Sequence, residues 1–218
     1  MMNNQSAPDA MDTQPRLKGL MCGLKVLCYC PLLLALCVPS FAGLPGAGQV
    51  KPTKTPAEAA AAYFPNTVLL TQDNKPVHFF DDLLRGKTVM INFMFTTCTG
   101  ICPAMTANLL KVQEYLGDRV GKDINMISIS VDPTVDTPSV MKKYATNFKA
   151  RAGWYFLTGN KADVDLVLGK LGGFVENKND HLNLVIVGNV ETGEWMKVFA
   201  MAKPAEIGDS VLKVAGSK

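Results

Sequence analysis

Residues 88–95 (TVMINFMF) form an unbroken apolar and β-branched run, and residues 124–131 (INMISISV) repeat the pattern after a helix-length interval. A polar/apolar alternation is needed only where one face of a strand meets water, so runs of this kind suit central strands covered on both faces. Two of them with a helical segment between imply a layered α/β fold. The intervening segment keeps that promise. Pro103 reads as the first residue of a helix whose apolar positions Met105, Leu109, Val112 and Leu116 hold a three-to-four spacing until Gly117.

The rest of the chain extends the alternation. Residues 68–72 and 76–80 flank the turn signal Asp73-Asn74-Lys75 and read as an N-terminal hairpin. Thr137 as cap and Pro138 at the first helical position open a helix running to Phe148, and residues 154–157 make a short strand. Residues 161–171 form a helix stopped by Gly172-Gly173. Residues 182–187 and 194–201 are strands joined by a Gly/Asn-rich loop, and Pro204 opens a last helix to about residue 214. The expected fold is an α/β mixed sheet flanked by helices, with an extra N-terminal hairpin.

The 218 residues, 48% of them hydrophobic, allow one good core plus an extension. Residues 1–42 read as a signal peptide or membrane anchor: Lys18 and Lys25 flank an apolar run at 26–38, and Ser40-Phe41-Ala42 is a small-x-small cleavage pattern. The alternatives are an uncleaved anchor over residues 20–41 and a lipoprotein signal at Leu34-Ala35-Leu36-Cys37. Each implies an exported domain, in a bacterial cell periplasmic, with membrane contact only through the N-terminal segment. Residues 43–64, rich in Gly, Pro and Ala, read as a flexible linker in which the alanine run 57–62 can wind a turn or two of helix. The domain proper is then 65–218. A formal charge of +3, evenly spread, sets aside nucleic-acid partners.

Four of the six cysteines (Cys22, Cys28, Cys30, Cys37) fall in the leader, and the other two are Cys98 and Cys102, at the end of the first buried strand. A four-residue step brings two sulfurs onto one side of a helical turn, where they can close a disulfide or grip a soft metal. A purely structural disulfide over so short a loop removes little chain entropy. With Cys102 placed just before the helix, its thiol is expected to ionise more readily than a free one, burial by Phe93, Phe95 and Ile101 acting against this. Two thiolates suit Cu(I), and a third donor is then worth seeking. Of the two histidines, His78 lies in the hairpin with no cluster around it. His181 stands at the entry of strand 182–187, and if that strand runs antiparallel to 88–95 it meets the cysteines at one sheet edge. As a lone histidine at a strand end it is equally at home as a satisfied surface residue.

The segments Phe95-Thr96-Thr97-Cys98-Thr99-Gly100-Ile101-Cys102-Pro103, then Ser128 to Pro138 (SISVDPTVDTP), then Asp180-His181 before an apolar strand, together resemble the Sco (SCO1/SenC) family over roughly residues 65–215. The resemblance implies a thioredoxin-like fold, export or tethering, and one copper ion, Cu(I) or Cu(II), held by Cys98, Cys102 and His181. It also implies a role at the binuclear copper site of cytochrome c oxidase: delivery of copper to the copper-site subunit, or reduction of that site's cysteines. Other copper carriers and thiol reductants would be further partners. Thr99-Gly100 replaces the family's more typical Pro-Asp, and Val135 stands where an Arg is common. Asp132 and Asp136 belong to the shared motif, with turn and cap chemistry as their expected duty. The 11 methionines include Met94, Met105, Met126 and Met141 at core positions, which makes packing rather than a copper relay their expected role. The competing function is thiol-disulfide exchange by the same pair, although such enzymes usually carry C-x-x-C and a facing proline. A peroxidase reading finds no supporting motif beside Cys98.

Overall fold

A computed structural model describes residues 53–216. The expected leader at residues 1–42, and the linker up to residue 52, lie outside the described residues. The first element is helix α1 (Pro56–Tyr63), set by a capping box in which the Thr55 hydroxyl accepts from Glu58 N–H and the Glu58 carboxylate accepts from Thr55 N–H. Its Ala60 and the following Phe64 are buried against the sheet, Phe64 beside Trp195 at 5.0 Å between ring centroids. Strands β1 (Val68–Leu70) and β2 (Pro76–His78) make the expected hairpin, with Asn74 at a positive φ of 56° in the turn.

The hairpin strands are shorter than expected because Phe79–Leu84 winds into a π-helix. Four apolar side chains there (Phe79, Phe80, Leu83, Leu84) turn inward on a wound backbone, which a period-2 reading of residues 76–80 misses.

The main sheet has five strands in the order β5-β4-β3-β6-β7. Strands β3 (Thr88–Met94), β4 (Ile124–Ser130) and β5 (Trp154–Leu157) are parallel, while β6 (Leu184–Asn189) runs antiparallel to β3 and pairs with antiparallel β7 (Glu194–Phe199). Every residue of β3 and β4 is buried, as their unbroken apolar runs require. Successive side chains alternate between two cores. Met90, Met94 and Met126 join one with helices α2 (Ile101–Leu116), α3 (Pro138–Asn147) and α5 (Pro204–Ala215). Ile91, Phe93 and Ile129 join the other with the π-helix, α1 and helix α4 (Lys161–Leu171). Met94, Met105, Met126 and Met141 are fully buried, so packing is indeed their role.

Two features of this architecture position the site. Helix α2 starts at Ile101, two residues before Pro103, so Cys102 lies inside its first turn. Pro103 is still tolerated there because first-turn N–H groups have no intrahelical partner. And because β6 is antiparallel to β3 while β4 is parallel to it, the ends of β3 and β4 and the start of β6 share one edge of the sheet.

Candidate metal centre

The cysteine loop hangs from the end of β3, and Cys98 and Cys102 are both free thiols. Helix α2 has Gly100 as its N-cap and no capping side chain, which leaves its first N–H groups available. Cys98 takes the place of the missing cap. Burial acts against its ionisation, but the Cys102 thiol and the backbone N–H groups of Cys102, Gly100 and Ile101 together outweigh it, and the thiol is held below its ordinary value. Cys102 faces the core beside Met105 and Leu109. Burial, and then the neighbouring Cys98 sulfur, push its thiol up to about 12.

This reverses the expectation for Cys102. The dipole argument holds, but its beneficiary is the residue in front of the helix; Cys102, within the first turn, is dominated by desolvation.

His181 lies three residues before β6, at the end of a 3-10 turn over Lys178–Asp180. It is 7% exposed. Its Nε2 stands 3.2 Å from Cys102 Sγ, and its Nδ1 stands 2.9 Å from the Lys178 carbonyl. A carbonyl oxygen only accepts, so Nδ1 carries the hydrogen and the Nε2 lone pair faces the sulfur. Phe95 adds an edge contact to the imidazole at 5.5 Å. The antiparallel pairing of β6 with β3 thus does bring His181 to the cysteines, whereas His78 stays exposed at the end of β2. A pocket of about 310 Å³ opens onto Cys98, with Phe95, Gly100, Asn179 and His181 in its wall.

A polar chain surrounds these groups. Asp136 is fully buried and accepts from the Thr96 N–H at 3.2 Å, from the Thr96 hydroxyl, and from the Ser130 hydroxyl at 2.5 Å. It ties the cysteine loop to the loop after β4. Asp132 is pinned by its own N–H to Ser130 Oγ at 3.0 Å and accepts from Thr134, while its Oδ2 meets Lys178 Nζ at 2.6 Å. Burial raises the Asp132 carboxyl, but the bonds from Lys178 and Thr134 more than offset it and hold the group below the usual carboxylate range. The expected turn exists, with Val135 and Asp136 N–H donating to Asp132 O. Asp132 keeps a turn bond from Thr134 and adds the long-range tie to Lys178, the Asp136 carboxylate serves Thr96 and Ser130, and Thr137 caps α3 without a side-chain bond. Thr96 and Ser130 fall inside the two quoted motif segments but nothing there names their role, and for Lys178 the one signal is a single cation three residues before His181.

Chemically, two sulfurs and an imidazole are a soft donor set suited to a thiophilic ion. Cys102 and His181 already touch, with Cys98 curled toward the helix end, 4.0 Å from where a side chain on Gly100 would begin. Among the described residues no three His, Cys, Asp or Glu side chains are gathered closely enough to clasp a metal as they stand.

The family model for SCO1/SenC matches residues 56–199. The chain belongs to the SCO1/SenC family. All the residues of the site fall inside that match. Among relatives of the family, the SCO1 protein homolog of Bacillus subtilis is 40% identical over 89 residues, covering 40% of this chain and 45% of that protein. The SCO2-like protein RP587 of Rickettsia prowazekii is 37% identical over 130 residues, 56% of this chain and 62% of that protein. In both, the aligned part is less than two thirds of the relative's length. Among solved structures, copper-bound ScoI of Bradyrhizobium japonicum superposes with a TM-score of 0.57 at 26% identity, covering 67% of this chain and 96% of that one. A SCO1/SenC family lipoprotein from Bacillus anthracis gives 0.60 at 26% identity, covering 70% and 95%. The sheet and its flanking helices are the thioredoxin-like Sco fold. No helix among the described residues is long and apolar enough to cross a membrane.

Proposed function

We propose that this Sco-family chain is an exported copper carrier that takes one copper ion at Cys98, Cys102 and His181 and delivers it to, or helps mature, the binuclear copper site of cytochrome c oxidase. The observation that carries the reading is the contact of Cys102 Sγ with His181 Nε2 at 3.2 Å, the ring held from behind by the Lys178 carbonyl. A ligating imidazole whose other nitrogen is bonded to a carbonyl has its tautomer and orientation set in advance.

Copper is cargo here, so the site must both close and open. Cys98, half-exposed and held low, supplies the first thiolate at the pocket mouth; Cys102 and His181 supply the two donors buried behind it. The Cys98 sulfur already neighbours the Cys102 thiol, and turning it away from the helix N–H groups frees its lone pairs for an ion shared with Cys102, one helical turn on. Cys102 gives up its proton to solvent as the metal's charge takes its place. Release proceeds by ligand exchange, with an incoming donor displacing the exposed Cys98 first. The leader at residues 1–42 and the linker up to residue 52 would carry the domain to the periplasmic side, anchored if the leader is retained; residues 56–64, expected as linker, instead pack on the domain as α1 and Phe64.

The test is copper loading of the reduced protein. His181→Ala should lower copper retention in a chelator competition by at least about tenfold, the lower end of what losing even an orienting partner costs. Unchanged stoichiometry and affinity would sink the ligand assignment.

The asymmetry of the two thiols favours a second activity. An exposed Cys98 thiolate can attack a substrate disulfide to give a mixed disulfide; Cys102, on losing its proton, then displaces the substrate's second thiolate and closes the Cys98–Cys102 disulfide. The substrate leaves as a dithiol. A solved Bacillus relative with a TM-score of 0.57 is described by a disulfide switch in a cytochrome c oxidase assembly protein. If the reduced chain rapidly reduces an oxidised copper-site subunit, and His181→Ala leaves that rate unchanged, exchange rather than carriage is the primary role.

A further inference from the structure

Of the three donors, His181 sits in the longest connection, while Cys102 lies within α2 and Cys98 in the short link between β3 and α2. Cys98 and Cys102 are anchored by β3 and α2, whereas His181 ends a connection that leaves α4 at Gly172 and reaches β6 only at Leu184, with a single 3-10 turn in between. Its ring orientation rests on the Lys178 carbonyl, which accepts from Nδ1. Where Lys178 goes, the imidazole follows.

Lys178 in turn is gripped by its side chain. Its Nζ lies 2.6 Å from Asp132 Oδ2 and 5.0 Å from the centre of the Phe95 ring. The pair is partly buried, the side chains 37% and 14% exposed, so solvent screens it less than an open surface pair. Asp132 is fixed beforehand by Ser130 and Thr134, and Ser130 is fixed by Asp136, which also holds the cysteine loop at Thr96. The bonds run from Thr96 through Asp136, Ser130, Asp132 and Lys178 to His181, whose Nε2 returns to Cys102.

We propose that the Lys178–Asp132 ion pair is a latch that positions His181 over Cys102 and sets how often the histidine-bearing loop swings away to let the bound metal exchange. Lys178 and Asp132 act through His181 and are positioning residues. The proposal rests on the reading that Cys98, Cys102 and His181 hold copper. Breaking the ion pair leaves the three donors in the chain but frees the loop that carries one of them, so metal release accelerates while the donor set is unchanged.

The experiment is a double-mutant cycle read as the rate of Cu(I) transfer from the reduced, loaded protein to a coloured chelator. Lys178→Met, which keeps the aliphatic stem over Phe95, should speed transfer about threefold to tenfold, the range open to a partly buried ion pair. Asp132→Asn should do the same, and Lys178→Arg, which preserves the charge, should behave as wild type. In a His181→Ala background, Lys178→Met should change nothing further. Equal acceleration in both backgrounds, or none with His181 present, overturns the latch. In the reduced, metal-free protein, Lys178→Met should raise the alkylation rate of Cys102 while Cys98 stays as it was; an unchanged Cys102 rate also overturns it. If wild type takes up no copper, the copper reading fails, and the alkylation arm still decides whether the ion pair holds the loop.

Discussion

Cys98 and Cys102 are the same residue type one helical turn apart, and their surroundings drive their thiols in opposite directions. At neutral pH an alkylating reagent should therefore consume Cys98 first, with Cys102 lagging by about a hundredfold or more, as mass spectrometry of the timed products will show. Stability follows the same asymmetry. The folded value of Cys102 stands near 12, above an ordinary value of 9.0. Its contribution to the reduced, metal-free protein is thus complete below about pH 9 and is lost as pH climbs toward 12, which urea midpoints across that window will report. The buried Asp136 predicts a further loss. Asp136→Ala leaves the Thr96 N–H and the Ser130 hydroxyl without an acceptor and should cost about 1–3 kcal/mol in urea unfolding. The residues of the candidate site, Cys98, Cys102 and His181, were legible in the sequence because their types and order are distinctive. Which thiol is lowered was not, since that hinges on whether the helix starts at residue 101 or 103, a margin inside the ordinary uncertainty of helix ends.

Helix α2 carries the clearest consequence at the level of the element. Its uncapped N-terminus is available to Cys98 because Gly100 offers no side chain in competition. Gly100→Asp places a carboxylate at the N-cap of α2. It should compete for the same N–H groups and repel the thiolate, slowing Cys98 alkylation about twofold to fivefold. The opposite outcome, a faster Cys98, would show that the helix end is not what holds the thiol low. The strands and helices of the main sheet were readable because each keeps one hydrophobic period along its length. Residues 79–84 were not, since their four inward side chains follow a wound backbone between two strand-like stretches. The turn at Asp132 was legible, but the partners Lys178 of Asp132 and Thr96 of Asp136 were not, for a related reason: a turn motif names its own local bonds, and these residues are 46 and 40 positions away.

At the scale of the molecule, parallel and antiparallel strands share one sheet, with β3 at its centre between β4 and β6. Sequence alone supports that mixture, since a helix joins 88–95 to 124–131 and a short loop joins the last two strands. The meeting of the two halves at one edge follows from β6 pairing with β3, a long-range contact that sets Thr88 opposite Asn189 and that only the histidine hinted at. Among the described residues β7 has only β6 as a neighbour and leaves its other edge open. The imidazole hangs from β6, one strand in from that edge, and the sulfurs from β3, two strands in. As urea rises, residues 184–199 should exchange their amide hydrogens before residues 88–94, and the imidazole should come away while both sulfurs remain in place. Unfolding would then unload the ion in stages, a two-donor form preceding the bare one, so that the sheet's weaker margin sets the order in which the cargo is surrendered.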